Sequence, residues 1–65
     1  MNAIPRLFAD LTVRLEDLHA VAIEGQRSDN TTDMQKALVS HLRSCVAALN
    51  GELRDLLAVI DRTGR

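Results

Sequence analysis

The sequence predicts an all-α fold: an antiparallel two-helix hairpin that pairs with a second copy of itself to form a four-helix bundle. Apolar residues recur at alternating spacings of three and four in two long segments, which places them along one side of a helix. A single polar segment separates the two. The chain has 65 residues, treated as one domain, and a lone hairpin of that size encloses too little core to be stable by itself.

The first apolar segment predicts a helix from about residue 3 to residue 26. Its apolar residues fall at the d and a positions of a heptad repeat, with Leu7 and Val21 widening the stripe at g positions. We expect Asn2 to cap this helix, and Pro5 suits its first turn, where backbone N–H groups have no intrahelical partner. The seam residues of this helix are Ile4, Phe8, Leu11, Leu15, Leu18 and Ala22.

Residues 25–32 form the only predicted turn. The segment combines a glycine with serine, aspartate, asparagine and threonine, whose short polar side chains compete with helical hydrogen bonds. Thr32 is followed three residues later by Gln35, which matches a capping box, in which each side chain satisfies a free backbone donor. The second helix is therefore predicted from Thr32 to about residue 62.

The second helix carries a longer heptad seam. The dipeptide Asn50-Gly51 often marks a turn, but the seam keeps its register through it, so we expect a continuous helix. Cys45 falls at a flanking g position and is expected to serve as a small buried hydrophobic residue. The seam residues here are Val39, Leu42, Val46, Leu49, Leu53, Leu56 and Ile60.

The short connection requires the two helices to lie antiparallel. One cysteine cannot form an internal disulfide, and two histidines far apart in sequence do not form a zinc site, so oligomerisation is the remaining source of extra stability. Two hairpins related by two-fold symmetry would bury all four apolar stripes in a homodimer. The sequence leaves open whether their loops lie at the same end or at opposite ends.

A row of small residues lies opposite the seam on the second helix. Small side chains let another helix approach closely, so we expect this surface, the small-residue face, to bind a partner protein or a neighbouring dimer. The alternative is that alanine and serine are simply well tolerated on a helix surface. The small-residue face comprises Ala37, Ser40, Ser44, Ala47, Ala48, Gly51 and Ala58.

Composition argues against several functional classes. Eight basic and nine acidic residues are interleaved, so no broad electrostatic field directs the protein to nucleic acid or a membrane. No apolar run approaches the ~20 residues that span a bilayer. No catalytic constellation, phosphate loop or metal-spaced cluster is present, so we expect no enzyme activity, cofactor or metal. Arg6 and Asp10 interrupt any signal peptide, and the lone cysteine suits the cytoplasm.

In length, turn position and heptad layout the chain resembles the Rop family of plasmid copy-number regulators. The resemblance implies a homodimeric four-helix bundle and, as a ligand, paired RNA loops. In this sequence Phe8 belongs to the seam and no row of lysine or arginine flanks it, so RNA binding is the less favoured function. The favoured function is a regulatory or adaptor protein that binds another protein; the alternatives are a self-assembling structural unit and an RNA-binding regulator.

Overall fold

A computed structural model describes residues 3–64 of the chain and shows two helices. Helix α1 spans Ile4–Glu24 and helix α2 spans Thr32–Thr63, and the two pack against each other as a hairpin. The hairpin measures 52 × 15 × 11 Å. The predicted all-α class and hairpin are confirmed, and the helix ends lie within two residues of their predicted positions.

Helix α1 begins without a side-chain cap. Ala3 holds the N-cap position and makes no side-chain hydrogen bond there, whereas the predicted cap, Asn2, lies outside the described residues. Pro5 sits in the first turn, where a missing N–H leaves no helical bond unmade. At the other end the Gln26 N–H donates to the Ile23 carbonyl oxygen at 3.0 Å. This bond spans three residues, as in a 3₁₀ turn, and the helix ends there.

The cap of α2 is Thr31, so the prediction of a capping box starting at Thr32 was wrong by one residue. The Thr31 hydroxyl accepts a hydrogen bond from the Met34 N–H at 3.1 Å, and its backbone is extended, with φ −76° and ψ 166°. The Gln35 N–H donates to the Thr31 carbonyl oxygen at 2.9 Å. Two adjacent threonines offer the same hydroxyl, but only Thr31 has the extended backbone that an N-cap requires.

Side chains of the turn hold its ends together. Arg27 donates from Nε and Nη2 to both carboxylate oxygens of Asp29, at 3.1 and 2.9 Å, and from Nη1 to Glu24 Oε1 at 3.1 Å. The hydrogen bonds from Arg27 lower the pKa of the Asp29 carboxyl below its ordinary value. The Asn30 amide donates to the Glu24 carbonyl oxygen at 2.8 Å, which satisfies one carbonyl at the end of α1.

Helix α2 runs without a break through Asn50-Gly51, which confirms the predicted continuous helix. Gly51 does not have a positive φ, so its backbone could belong to any residue. A Cβ added at Gly51 would meet nothing within 4 Å. Neither backbone conformation nor packing inside the hairpin therefore requires a glycine at this position.

Two heptad rows from each helix form the contact between α1 and α2. Within residues 3–64 the buried side chains are Leu11, Cys45 and Leu56, which are 9%, 6% and 5% exposed. Leu11 and Leu56 occupy d positions and Cys45 a g position. Half-buried residues at the same two positions extend the contact along both helices: Ile4, Leu7, Leu18, Val21, Leu38, Leu42, Leu49 and Val59.

An ion pair lies in the middle of this contact. Arg14 Nε donates to Glu52 Oε1 at 2.7 Å, and both side chains are about one-third exposed or less. The hydrogen bond to Glu52, followed by the charge of that carboxylate, raises the pKa of the Arg14 guanidinium. Since the residues before and after them at g positions are apolar, this single polar pair sets which turn of α1 faces which turn of α2.

Replacing Glu52 with Leu should lower the melting temperature, because Arg14 would then face an apolar contact without its partner. The double variant Arg14→Leu/Glu52→Leu should recover most or all of that loss, since a pair of apolar side chains fits the surrounding rows. Thermal unfolding followed by circular dichroism measures both changes. A double variant less stable than the single variant Glu52→Leu would contradict this, because the ion pair would then add to stability as well as fix the register.

Candidate interaction surfaces

The predicted seam divides into two rows with opposite burial. Residues at the d positions are buried or half-buried between the helices: Ile4, Leu11, Leu18, Leu42, Leu49 and Leu56. Residues at the a positions are exposed, and the large ones among them keep 38% to 53% of their surface accessible. We call this exposed row the heptad face: Phe8, Leu15, Ala22, Val39, Val46, Leu53 and Ile60.

The heptad face lies on one side of the hairpin and crosses both helices. On α1, Leu15 follows the inward residue Leu11 by four positions, and on α2, Leu53 follows Leu49 by the same offset. Every α-helix rotates in the same sense from its N-terminus to its C-terminus, so equal offsets on antiparallel helices lead to the same side. Leu57, which is 59% exposed, adjoins this surface at an e position.

The heptad face is a long apolar surface. It runs for about 32 Å along α2, from Val39 to Ile60 at ~1.5 Å per residue, on a hairpin 52 Å long. Six large apolar side chains exposed in one such row are typical of a protein interface rather than of a free surface. The a and e positions on this side carry no carboxylate; their charged residues are Lys36 and Arg43.

The opposite side of the hairpin carries a groove rich in carboxylates. This groove is shallow, has a volume of about 440 Å³ and is lined by Asp10, Asp17 and Asp55, together with Leu7, Val13 and the Arg14–Glu52 pair. The groove contains no nucleophile beside a general base. Across residues 3–64, no three histidine, cysteine, aspartate or glutamate side chains are grouped so that they could hold a metal ion. The two sides of the hairpin therefore differ sharply in chemistry.

The small-residue face lies on the outside of α2, away from α1. Five of its seven residues are exposed, and Ala48 and Gly51 are half-buried. Because nothing in the hairpin occupies the space above Gly51, the shallow surface there remains open to another molecule. All seven residues of the small-residue face lie on α2, as the sequence spacing predicted: Ala37, Ser40, Ser44, Ala47, Ala48, Gly51 and Ala58.

The remaining reactive side chains do not form a common site within the part of the chain that the structure describes. Cys45 is a free thiol buried between the helices, while His19 and His41 are exposed on different helices. Sequence reasoning missed the Arg14–Glu52 pair. The sequence contained an indication of this pair, because Arg14 and Glu52 carry opposite charges and both fall at g positions of the heptad repeat. No helix within residues 3–64 has the length and apolar character needed to cross a membrane.

Comparisons with known proteins give no relative for this chain. No protein-family model matches the sequence. No curated protein and no solved structure matches it at a significant level. Function is therefore inferred from the surfaces of the hairpin and from the chemistry of their side chains.

Proposed function

We propose that this chain is a non-enzymatic regulatory or adaptor protein of the cytoplasm that works as a homodimeric four-helix bundle and binds another protein. The observation that carries the proposal is the heptad face, an apolar surface on both helices that the hairpin leaves uncovered. A second surface, the small-residue face, lies elsewhere on α2 and would remain outside such a dimer. One surface serves self-association and the other serves the partner.

A second copy of the chain suits the heptad face, because the apolar residues of this face recur every seven residues on both helices. Facing helices in bundles pack through such repeats, with each side chain fitting between residues of the opposite helix. A two-fold axis would bring the same patch together from both hairpins. Fully burying a large apolar side chain contributes about 1.5–3 kcal/mol. The six large residues of the heptad face are 38% to 53% exposed, so covering each of them adds roughly half of that and extends the core beyond the three buried residues.

The small-residue face supports binding of a protein helix. Gly51 is not needed by the backbone or by packing within the hairpin, and its neighbours Ser44 and Ala58 are also short. Such a surface lets a partner helix lie close to the backbone of α2. RNA binding is less well supported, because Phe8 belongs to the heptad face and Arg14 is already paired with Glu52.

Replacing Leu53 with Lys should break the dimer. The substitution puts a charge in the middle of the heptad face in both copies. Because Leu53 is 46% exposed in the hairpin, about half of the usual gain from burial, ~0.7–1.4 kcal/mol, is lost from each copy, which raises the dissociation constant at least about tenfold. Size-exclusion chromatography with light scattering would show a smaller mass. The control Val13→Lys changes an exposed apolar residue beside the groove on the opposite side of the hairpin and should keep the dimer mass. An unchanged mass for Leu53→Lys would contradict the proposed dimer.

Replacing Ser44 with Leu should abolish partner binding and leave the dimer intact. The larger side chain fills the shallow surface on which a partner helix would lie. Affinity capture from cells that produce the protein, with light scattering on each variant, measures both properties; Ala20→Leu adds the same bulk on α1 and should keep the partner. If Ser44→Leu retains the partner, or if the dimer unfolds, this face is not the binding site. Absorbance at 260 nm would reveal bound RNA, because the chain has no Trp or Tyr.

A further inference from the structure

We propose that the partner of the small-residue face is an acidic helix, with aspartate or glutamate side chains along the edge that meets Lys36, Arg43 and Arg54. This inference rests on the proposed function and names the chemistry of the partner protein. The charges on α2 carry it, because the outer surface of this helix holds unpaired cations beside a long stretch without a carboxylate.

Three exposed cations line one edge of the small-residue face. Lys36 and Arg43 occupy e positions and Arg54 a b position, and both positions lie between the a row of the heptad face and the f row of small residues. Successive members are seven and eleven residues apart, close to two and three helical turns. Their side chains therefore follow one line along α2. We call these three residues the cationic edge.

No carboxylate of the hairpin pairs with the cationic edge. Residues 34–51, about 27 Å of helix at ~1.5 Å per residue, include no aspartate or glutamate. The next carboxylate, Glu52, accepts a hydrogen bond from Arg14 at 2.7 Å in the contact with α1. Within residues 3–64 the cationic edge forms no ion pair, whereas Arg14 and Arg27 both do.

An open groove adjoins the first two of these cations. It lies at the start of α2, has a volume of about 420 Å³ and is lined by Thr32, Gln35, Lys36, Val39 and Arg43. None of these side chains is acidic, and the hydroxyl of Thr32 and the amide of Gln35 can donate hydrogen bonds. A carboxylate from a partner would find space, two positive charges and neutral donors in one place.

The proposed dimer leaves the cationic edge available. Two-fold symmetry brings the heptad faces of both copies together, and the a and e positions of this face carry no carboxylate in either copy. Lysine and arginine beside an apolar interface extend their charged ends away from it. From the e positions of α2, that direction leads toward Ala37 and Ser44 of the small-residue face. The charged ends therefore flank a helix that lies on this face.

Charge along such an edge selects the partner. Residues that flank a helix–helix contact determine which helix binds and in which orientation. Acidic residues at spacings of seven and eleven on the partner would match the cationic edge, and a basic helix would be repelled. RNA is also anionic, but its unpaired bases stack on aromatic side chains, and the small-residue face has none.

Two synthetic helical peptides test this chemistry. Both are alanine-rich and long enough to cover residues 36–54; one carries glutamate at three positions spaced seven and eleven apart, and the other carries lysine there. At low salt the glutamate peptide should shift the amide resonances of residues 36–54 in the isotopically labelled chain, and added salt should reduce the shifts. The lysine peptide should cause none. Equal shifts with both peptides, or none with the glutamate peptide, would overturn the inference.

The double variant Lys36→Glu/Arg43→Glu should weaken binding of the glutamate peptide at least about tenfold, because two attractions become repulsions. The control Arg6→Glu/Arg62→Glu makes the same change in net charge away from the cationic edge and should retain the peptide. Equal losses in the two variants would show that net charge alone governs binding, which contradicts the inference. Lys36→Gln/Arg43→Gln replaces the first variant if circular dichroism shows a loss of helix.

The natural partner separates this inference from the proposed function. A protein lost from affinity capture by Ser44→Leu should also be lost by Lys36→Glu/Arg43→Glu. Loss by Ser44→Leu alone would contradict the acidic partner and leave the proposed function in place, whereas loss by neither variant would remove both. Growth of mass with concentration that Lys36→Glu/Arg43→Glu stops would identify the carboxylate groove of a second copy as the occupant. A 260 nm signal lost in that variant would identify RNA, and either result would overturn the inference.

Discussion

The packing of d and g positions between α1 and α2 determines which surfaces this protein presents. Leu11, Leu56 and Cys45 are buried in that contact, and the half-buried residues around them use the same two rows. Once those rows face inward, the geometry of the helix turns the a positions to one side and the c positions, which include Asp10, Asp17 and Asp55, to the other. A hairpin built this way has one apolar side, whose exposure to water is unfavourable, and one polar side, which water solvates well.

Polar interactions add specificity to this apolar contact. Leucine and valine rows could pair in several registers, but the Arg14–Glu52 pair at 2.7 Å is satisfied in one of them. In the turn, Arg27 binds Glu24 and Asp29, and Asn30 closes the end of α1, so the reversal does not depend on a glycine with positive φ. The side chains of the turn and of the central ion pair thus fix how the two halves of the heptad pattern meet.

Heptad spacing was sufficient to predict both helices, the turn and the unbroken passage of α2 through Asn50-Gly51. It was not sufficient to predict which row faces the other helix of the same chain. The apolar stripe covers a, d and g positions and is wide enough for two neighbours, and spacing does not distinguish a neighbour within the chain from a second copy. Thr31 rather than Thr32 caps α2 because backbone conformation, which composition does not encode, selects between identical hydroxyls.

The most direct test of this account is whether the helices depend on protein concentration. Far-UV circular dichroism should be recorded from high to low concentration, together with the melting temperature at each step. If a second copy completes the core, dilution should lower both helical content and melting temperature, because folding and association are linked by mass action. A melting temperature and helical signal that stay constant while light scattering reports a monomer would show that the hairpin is stable alone and would contradict the account.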